Sequence, residues 1–462
     1  MEFACGWCLL TRPELLICCP MSEPANSQLT LRYLWWLQPT LALAFVLAIT
    51  LTPAILMSER AFALYGTPKY LRMEHFLVAL SAVGAFGLGQ WLAQRTGTAP
   101  HPAPKSLDLP LLWWFRLAAG LSLFGFAIWL LLGIKNGFTL GLLLNLFDTS
   151  NEAAAAVLRF EVFRSIPGVT TCTQFGLAAA ILGLWLELRG VRGVRLLLAG
   201  VIFCAAFRVL LFSERLALLE ILVSGGALGI RFLVLGKQWS RAQRLMLRVF
   251  PVFAIAGLLV FFGTFEYFRT WFRYQKEFDN VAEFTLWRAA GYYATSHNNG
   301  ALTVEIPYRR PLPYVLAANL WKFPLVKGTS LDYESITGVD HDEAWAGHLK
   351  TYAQEEYNNA GGLFIPLAEL GWVGSTLFWF GLGFCAGKAY RGFLAGSLGG
   401  CFFYPLILVA IADIPRIQYL TETRTFPAIV LLGMVVYYSR FWQAASLPRC
   451  EAAPISFPSP ST

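Results

Sequence analysis

Four ionisable residues stand in one of the most apolar stretches of the chain, AAFRVLLFSERLALLEIL at 205–222: Arg208, Glu214, Arg215 and Glu220. No Gly or Pro marks a loop within it. The apolar run from 195 to 235 would measure roughly 60 Å as one helix, about twice the hydrocarbon thickness of a bilayer. It therefore predicts a hairpin turning at Phe212–Ser213–Glu214, with Ser213 as N-cap and Glu214 in the first turn, where the helix dipole favours an acid. Arg215 then sits at the rim, and Arg208 lies roughly 10 Å deeper on the preceding helix. At the rim, Arg215 can simply snorkel to the interface. Inside a span a charge costs about 3 kcal/mol on insertion scales, so Arg208 has to face a partner or a watery cavity. One reading pairs it with Glu214 or Glu220. The other is an anion site: two guanidinium forks that match phosphate oxygens, beside the free N–H groups of a helix start. The anion within reach of such a site is a lipid-linked phosphate or pyrophosphate.

The elements that position these residues follow from composition. Of 462 residues 56% are hydrophobic and only 14% charged, which excludes a soluble globular domain. Ten segments are long and apolar enough for spans of roughly 20 residues: 35–57, 76–93, 112–133, 169–187, 195–211, 216–235, 247–267, 368–387, 396–412 and 424–439. The expected fold is all-α, a polytopic transmembrane helical bundle of about 10 spans with one large extracytoplasmic loop. Its parts are a leader (1–33), a first bundle of about 7 spans (34–268) with an outer amphipathic segment (134–168), a large loop (269–361), a second bundle of about 3 spans (362–440) and a tail (441–462). The net charge of +8 is concentrated in alternate connections: Arg189, Arg192 and Arg195; Arg231, Lys237, Arg241, Arg244 and Arg248; Lys388 and Arg391. That side is cytoplasmic by the positive-inside rule, and both termini fall there. Topology thus accounts for the basic balance, and no nucleic-acid partner is expected. Residues before Met21, with Cys5, Cys8, Cys18 and Cys19, read as an over-long start or a leader, and Cys172, Cys204, Cys385 and Cys401 as small apolar residues in spans.

A loop as long as 269–361 is the default location of chemistry. LWRAAGYYATSHNNGA at 286–301 gathers Arg288, Tyr292, Tyr293, His297, Asn298 and Asn299, and Tyr357, Asn358 and Asn359 precede a glycine pair. These amides and aromatic rings suit a carbohydrate. Asp340, His341, Asp342 and His348 raise a metal reading, but the seven-residue step between the histidines is not the three or four of helical ligand pairs. A solvated, capped loop helix accounts for them, and no metal is expected.

IPGVTTCTQFG, FSERLALLEIL, EYFRTW, GYYATSHNNG and EEYNNAGGLFIPLAELGWVG, in that order over roughly 110–440, resemble the bacterial O-antigen polymerases, the Wzy-type oligosaccharide repeat-unit polymerases. The resemblance implies a metal-independent glycosyltransferase of the inner membrane, without a cofactor. It would move a growing glycan from undecaprenyl pyrophosphate to the next lipid-linked unit, with a flippase and a chain-length regulator as partners. The leaving pyrophosphate then needs positive charge, assigned to Arg208 and Arg215 with Arg269, Arg288, Arg416 and Arg424. The acceptor hydroxyl needs a general base, Glu356 or His297. O-antigen ligases share the layout and are the nearest alternative. A flippase or transporter would show paired halves, and a transferase using a polyprenyl-monophosphate sugar would carry an acidic first outer loop. No P-loop or Rossmann fingerprint occurs.

Overall fold

The computed structural model describes residues 31–97, 100–145, 157–163, 168–212, 216–235, 239–323 and 325–446. The described residues are helical, with no strand among them. We label the longer helices α1 (Pro39–Leu56), α2 (Met73–Arg95), α3 (Asp108–Lys135), α4 (Phe175–Leu188), α5 (Arg195–Phe212), α6 (Leu216–Val234), α7 (Arg241–Tyr274), α8 (Val281–Glu305), α9 (His341–Tyr352), α10 (Ile365–Ala395), α11 (Leu398–Asp413) and α12 (Phe426–Ser446). Among the described residues seven helices are long and apolar enough to cross a membrane: α1, α2, α3, α4 with its preceding turn from Thr171, α6, α7 and α10. The chain is therefore a multi-pass membrane protein. Each of the ten apolar segments lies on a helix, the other three being α5, α11 and α12.

Two apolar cores share α10 and α11. One joins them to α3, α4, α5, α6 and α12, and the other to α1, α2 and α8. The tightest seam lies between α2 and α10, which run parallel: Gly89 meets Phe380, Gly383 meets Phe86, and Gly387 meets Gln90 and Ala93. A methyl group on Gly89 or Gly383 would run into the facing carbonyl oxygen. Gly383 and Gly387 form the small-xxx-small spacing that lets helix backbones touch where hydrophobicity gives no drive to associate.

The basic residues gather at one end of this bundle and cap helices there. Lys388 donates to the Thr96 carbonyl at 2.6 Å, and Arg391 to Thr96 and Gly97 at 2.7 and 2.9 Å, covering the C-terminus of α2. Arg231 donates to Phe393 O at 2.6 Å near the end of α10. Arg189 pairs with Asp108 at 2.8 Å and reaches Ala103 O at 3.1 Å. Cations belong at these carbonyl-rich termini.

The span from Arg269 to Gly361, expected as a loop, is largely helical. It begins inside α7 and contains α8 and α9. GYYATSHNNG is a buried stretch of α8, in which His297, Asn298 and Asn299 are at most 1% exposed. Burial is possible because each polar side chain finds a partner on a neighbouring segment. The helix α7 lies at the edge of the bundle, with Leu247 partly buried against the first core. It contributes no buried apolar side chain, and its buried side chains are Glu266 and Thr270. Pro251 cannot supply the N–H that would bond Leu247 O, and the Trp36 indole donates to that carbonyl at 2.9 Å instead.

Gly383→Leu should force α2 from α10. We expect an overpacking cost of more than roughly 3 kcal/mol, read as loss of the monodisperse peak in detergent. Gly381→Leu, at a glycine facing open space, should leave that peak in place.

Candidate functional site

Four helices and one turn enclose a cavity of about 160 Å³ at the end of the bundle opposite the basic one. At about 30 Å³ per water, that is room for roughly five waters. Its polar wall is Arg208 on α5, Glu220 on α6, Arg424 in the turn before α12, and Thr173 and Gln174 at the start of α4. Its apolar wall includes Phe126, Leu177, Val201, Ala205 and Ile221. Arg208 Nη1 donates to Thr173 Oγ1 at 3.1 Å. Arg424 pairs with Glu220, Nε to Oε1 at 2.9 Å and Nη2 to Oε2 at 3.3 Å. Among the described residues, two guanidiniums and one carboxylate line this amphipathic chamber.

Arg416 stands next to this site. It pairs with Asp413 at 3.2 Å, and its Nε is buried without a hydrogen bond. Burial opposes its charge, but Asp413, Tyr293 and Tyr292 outweigh that and hold its pKa above the usual value. The predicted arginines thus divide. Arg208 and Arg424 line one cavity, with Arg416 beside it. Arg215 lies outside the described residues, as does the Arg269 side chain.

Arg288 belongs to a second cluster. Fully buried on α8, it donates Nε to Glu266 at 3.1 Å, Nη1 to the Tyr357 hydroxyl at 2.6 Å and Nη2 to Glu356. Tyr357, Tyr292 and Tyr274 surround it at 4.9, 5.5 and 5.8 Å. Burial disfavours the guanidinium charge, yet Tyr357, Glu266 and Glu356 outweigh that and raise its pKa. All its hydrogen-bonding prongs are engaged, so Arg288 is an internal post and not the pyrophosphate ligand expected from the sequence. What it holds is Glu356, whose side chain is 38% exposed.

His297 is corrected on similar grounds. Its Nε2 lies 3.1 Å from Thr50 Oγ1, its Nδ1 has no hydrogen bond, and its ring is fully buried. Burial lowers its pKa to about 3. A neutral imidazole sealed from the surface cannot meet an acceptor hydroxyl. Asn298 and Asn299 serve the backbone instead of a glycan. Asn298 Oδ1 accepts from Tyr70 and Leu71 N–H at 2.7 and 3.1 Å, and its Nδ2 donates to Pro68 O at 2.8 Å. Asn299 donates to Tyr357 O and Asn359 O at 2.5 and 3.1 Å. Tyr292 and Tyr357 pack edge to face at 5.8 Å. Tyr293 and Asn358 are exposed, and Asn359 is half-buried.

Asp340 caps α9 through Asp342 and Glu343 N–H at 2.8 and 3.1 Å, and His341 stacks on Tyr314 at 3.7 Å. Glu74, His75 and Glu305 come within metal-ligand spacing. His75 Nδ1, however, accepts from Arg72 N–H at 3.1 Å, so the proton is on the nitrogen facing Glu305, and the Arg72 guanidinium lies 3.6 and 4.0 Å from the two carboxylates. A cation is already in place there.

Sequence reasoning passed over Glu266. The signal was present, since it is the acid that opens EYFRTW, near the end of an apolar helix. Comparison of the chain with protein-family models, curated proteins and solved structures finds no match.

Two outcomes follow from these burials. Arg288→Met leaves Glu266 buried beside an apolar side chain and should cost roughly 3–5 kcal/mol. The double variant with Glu266→Met should recover most of that in a thermal melt. His297 is neutral in the fold but protonates below its usual 6.5 when unfolded. Between about 3 and 6.5 the unfolded state binds more protons, so stability rises with pH by up to about 1.4 kcal/mol per unit. His297→Gln should flatten this acid limb when melting temperature is followed against pH.

Proposed function

We propose that the chain is a glycan polymerase acting at the outer face of a bacterial inner membrane. It transfers the growing oligosaccharide from undecaprenyl pyrophosphate to the next lipid-linked repeat unit. The observation that carries this reading is the cavity at 160 Å³ with Arg208 and Arg424 on its polar wall and apolar side chains on the other. Such a chamber suits an anionic headgroup joined to a hydrocarbon chain. In this reading the ten apolar helices all cross the membrane, the basic end is cytoplasmic, and both termini lie there.

The transfer breaks the bond between the anomeric carbon and the pyrophosphate oxygen, so negative charge grows on the leaving group. Two guanidiniums aimed at that oxygen stabilise the transition state more than the ground state. Arg416 extends the positive field toward Tyr292 and Tyr293. The acceptor hydroxyl must lose a proton as it attacks. Glu356 is the base in this reading, because it is the half-exposed carboxylate of its cluster and Arg288 fixes it in orientation. Tyr293 and Asn358, exposed at the same end, are candidates for sugar contact. Arg288, by contrast, acts only through the group it positions.

In cells lacking the chain, surface glycan should stall at a single repeat unit, and the wild-type copy should restore length. Arg208→Ala should stall in the same way while accumulating normally, and Glu356→Gln should slow extension by about 10²-fold. Normal chain length with Arg208→Ala would sink the anion-site reading. Full-length polymer retained on the carrier would mark a ligase.

A further inference from the structure

Three arginines open α7 without an acid to answer them. Arg241, Arg244 and Arg248 are exposed, and steps of three and four residues set them in one stripe along the helix. No Asp or Glu occurs between Glu220 and Glu266, and among the described residues none of the three pairs with a carboxylate. Arg248 lies over the Tyr33 ring at 5.8 Å. Lys388, Arg391 and Arg231 cover helix C-termini, where the dipole favours a cation, whereas these three stand at a helix start, where it does not. Nor do they cap it. Ser240 Oγ accepts from Gln243 N–H at 3.3 Å, and the Gln243 side chain accepts from Ser240 N–H at 3.0 Å.

Depth in the bilayer assigns the anion. The uncharged run 249–265 rises about 25 Å, close to the roughly 30 Å of hydrocarbon. Arg248 then stands at its edge, and Arg244 and Arg241 lie about 6 and 10 Å farther out, at the level of the headgroups. Trp35 and Trp36, whose indoles donate to Arg248 O and Leu247 O at 3.0 and 2.9 Å, share that level, as aromatic side chains do at a membrane interface. Leu245 and Val252, one turn beyond Arg241 and Arg248, are both 61% exposed. A soluble polyanion would cover the arginines and leave these apolar side chains in water. A phospholipid answers both, with its phosphate on the guanidinium stripe and its acyl chains along Leu245 and Val252.

We propose that the start of α7 binds anionic phospholipid of the leaflet at the basic end of the bundle, and that this contact helps to hold α7 in place. The contact is independent of the glycan chemistry proposed above. Since α7 buries no apolar side chain, packing alone gives it little grip. Its ties at this end include the two indole hydrogen bonds, the Trp36–Phe250 ring contact at 5.6 Å and the partly buried Leu247. A negative surface adds about fivefold in affinity for each arginine near it, so three acting together strengthen the hold by roughly a hundredfold.

The test compares the full-length protein in nanodiscs of phosphatidylcholine with nanodiscs of phosphatidylcholine mixed with phosphatidylglycerol, by amide hydrogen exchange over 241–253. Amides of the first turns should exchange more slowly in the anionic discs, by up to roughly a hundredfold, and salt should reduce the difference. With Arg241→Gln, Arg244→Gln and Arg248→Gln combined, the two lipids should give the same rates. With Arg241→Lys, Arg244→Lys and Arg248→Lys combined, the difference should persist. Where the glutamine triple accumulates poorly, Arg244→Gln alone should cut the slowing about fivefold. Equal exchange of the wild type in the two lipids would overturn the proposal. So would a full difference surviving in the glutamine triple, which would place the lipid on another basic patch. Inorganic phosphate that slows exchange in the neutral discs as strongly as phosphatidylglycerol does would assign the stripe to a soluble anion and overturn the lipid site.

Discussion

A charge held at the depth of a bilayer must be paired, hydrogen-bonded or wetted, because the cost of leaving it bare exceeds what a single apolar contact returns. This chain meets the constraint three times, each in a different way. At the basic end, Lys388, Arg391 and Arg231 cap the exposed carbonyls of α2 and α10. In the interior, Arg288 is enclosed by Glu266, Glu356 and Tyr357. In the cavity, Arg424 pairs with Glu220, Arg208 donates to Thr173, and both border a space large enough for water. The third solution leaves guanidiniums on the wall of an open space, and this sets the cavity apart from the other two.

The Arg288 cluster has a structural consequence that hydrophobic packing could not supply. Since α7 buries no apolar side chain, its outer half is joined to α8 through Glu266, which Thr270 steadies from the same helix, through the close approach of Gly263 to Thr285 and through ring contacts such as Trp271 with Phe284. Lipid solvates the rest of its surface as well as protein would, so there is no apolar drive to bring it closer. A directional ion pair can fix the register of two helices where undirected contact cannot. The same guanidinium reaches the 356–357 turn, so α7, α8 and the half-exposed Glu356 share one post.

The sequence announces its apolar segments because span length and hydrophobicity are properties of contiguous residues. For that reason all ten lie on helices, and the 41-residue run divides into α5, ending at Phe212, and α6, beginning at Leu216, with the expected turn residues Ser213 and Glu214 outside the described residues. The depth of Arg208 was legible on the same basis. Partners distant in the chain were not. Glu220 and Arg424 are 204 residues apart, and no local pattern says that the turn before α12 closes over the start of α6. The polar stretch 297–299 misled for a related reason. Amides and a histidine in a row read as a wet loop, whereas here they are buried on α8 and hold the 67–71 and 357–359 segments by their backbones.

The division of the six predicted arginines shows what decides between structural and chemical roles. Burial alone does not, since Arg288 and Arg231 are the most buried of the cations discussed and both are engaged in holding structure. What distinguishes Arg208 and Arg424 is the open space they border. Arg288 faces two carboxylates and a phenol, a set that already exceeds its own charge. Arg208 donates to the Thr173 hydroxyl and Arg424 pairs with Glu220, and both line the cavity. An anion arriving at the first site would have to be added to an excess of negative charge. At the second it would meet a cavity whose described wall carries two guanidiniums. Which guanidiniums border one cavity depends on α5, α6 and the turn before α12 coming together, and the count of arginines in any one segment does not reveal it.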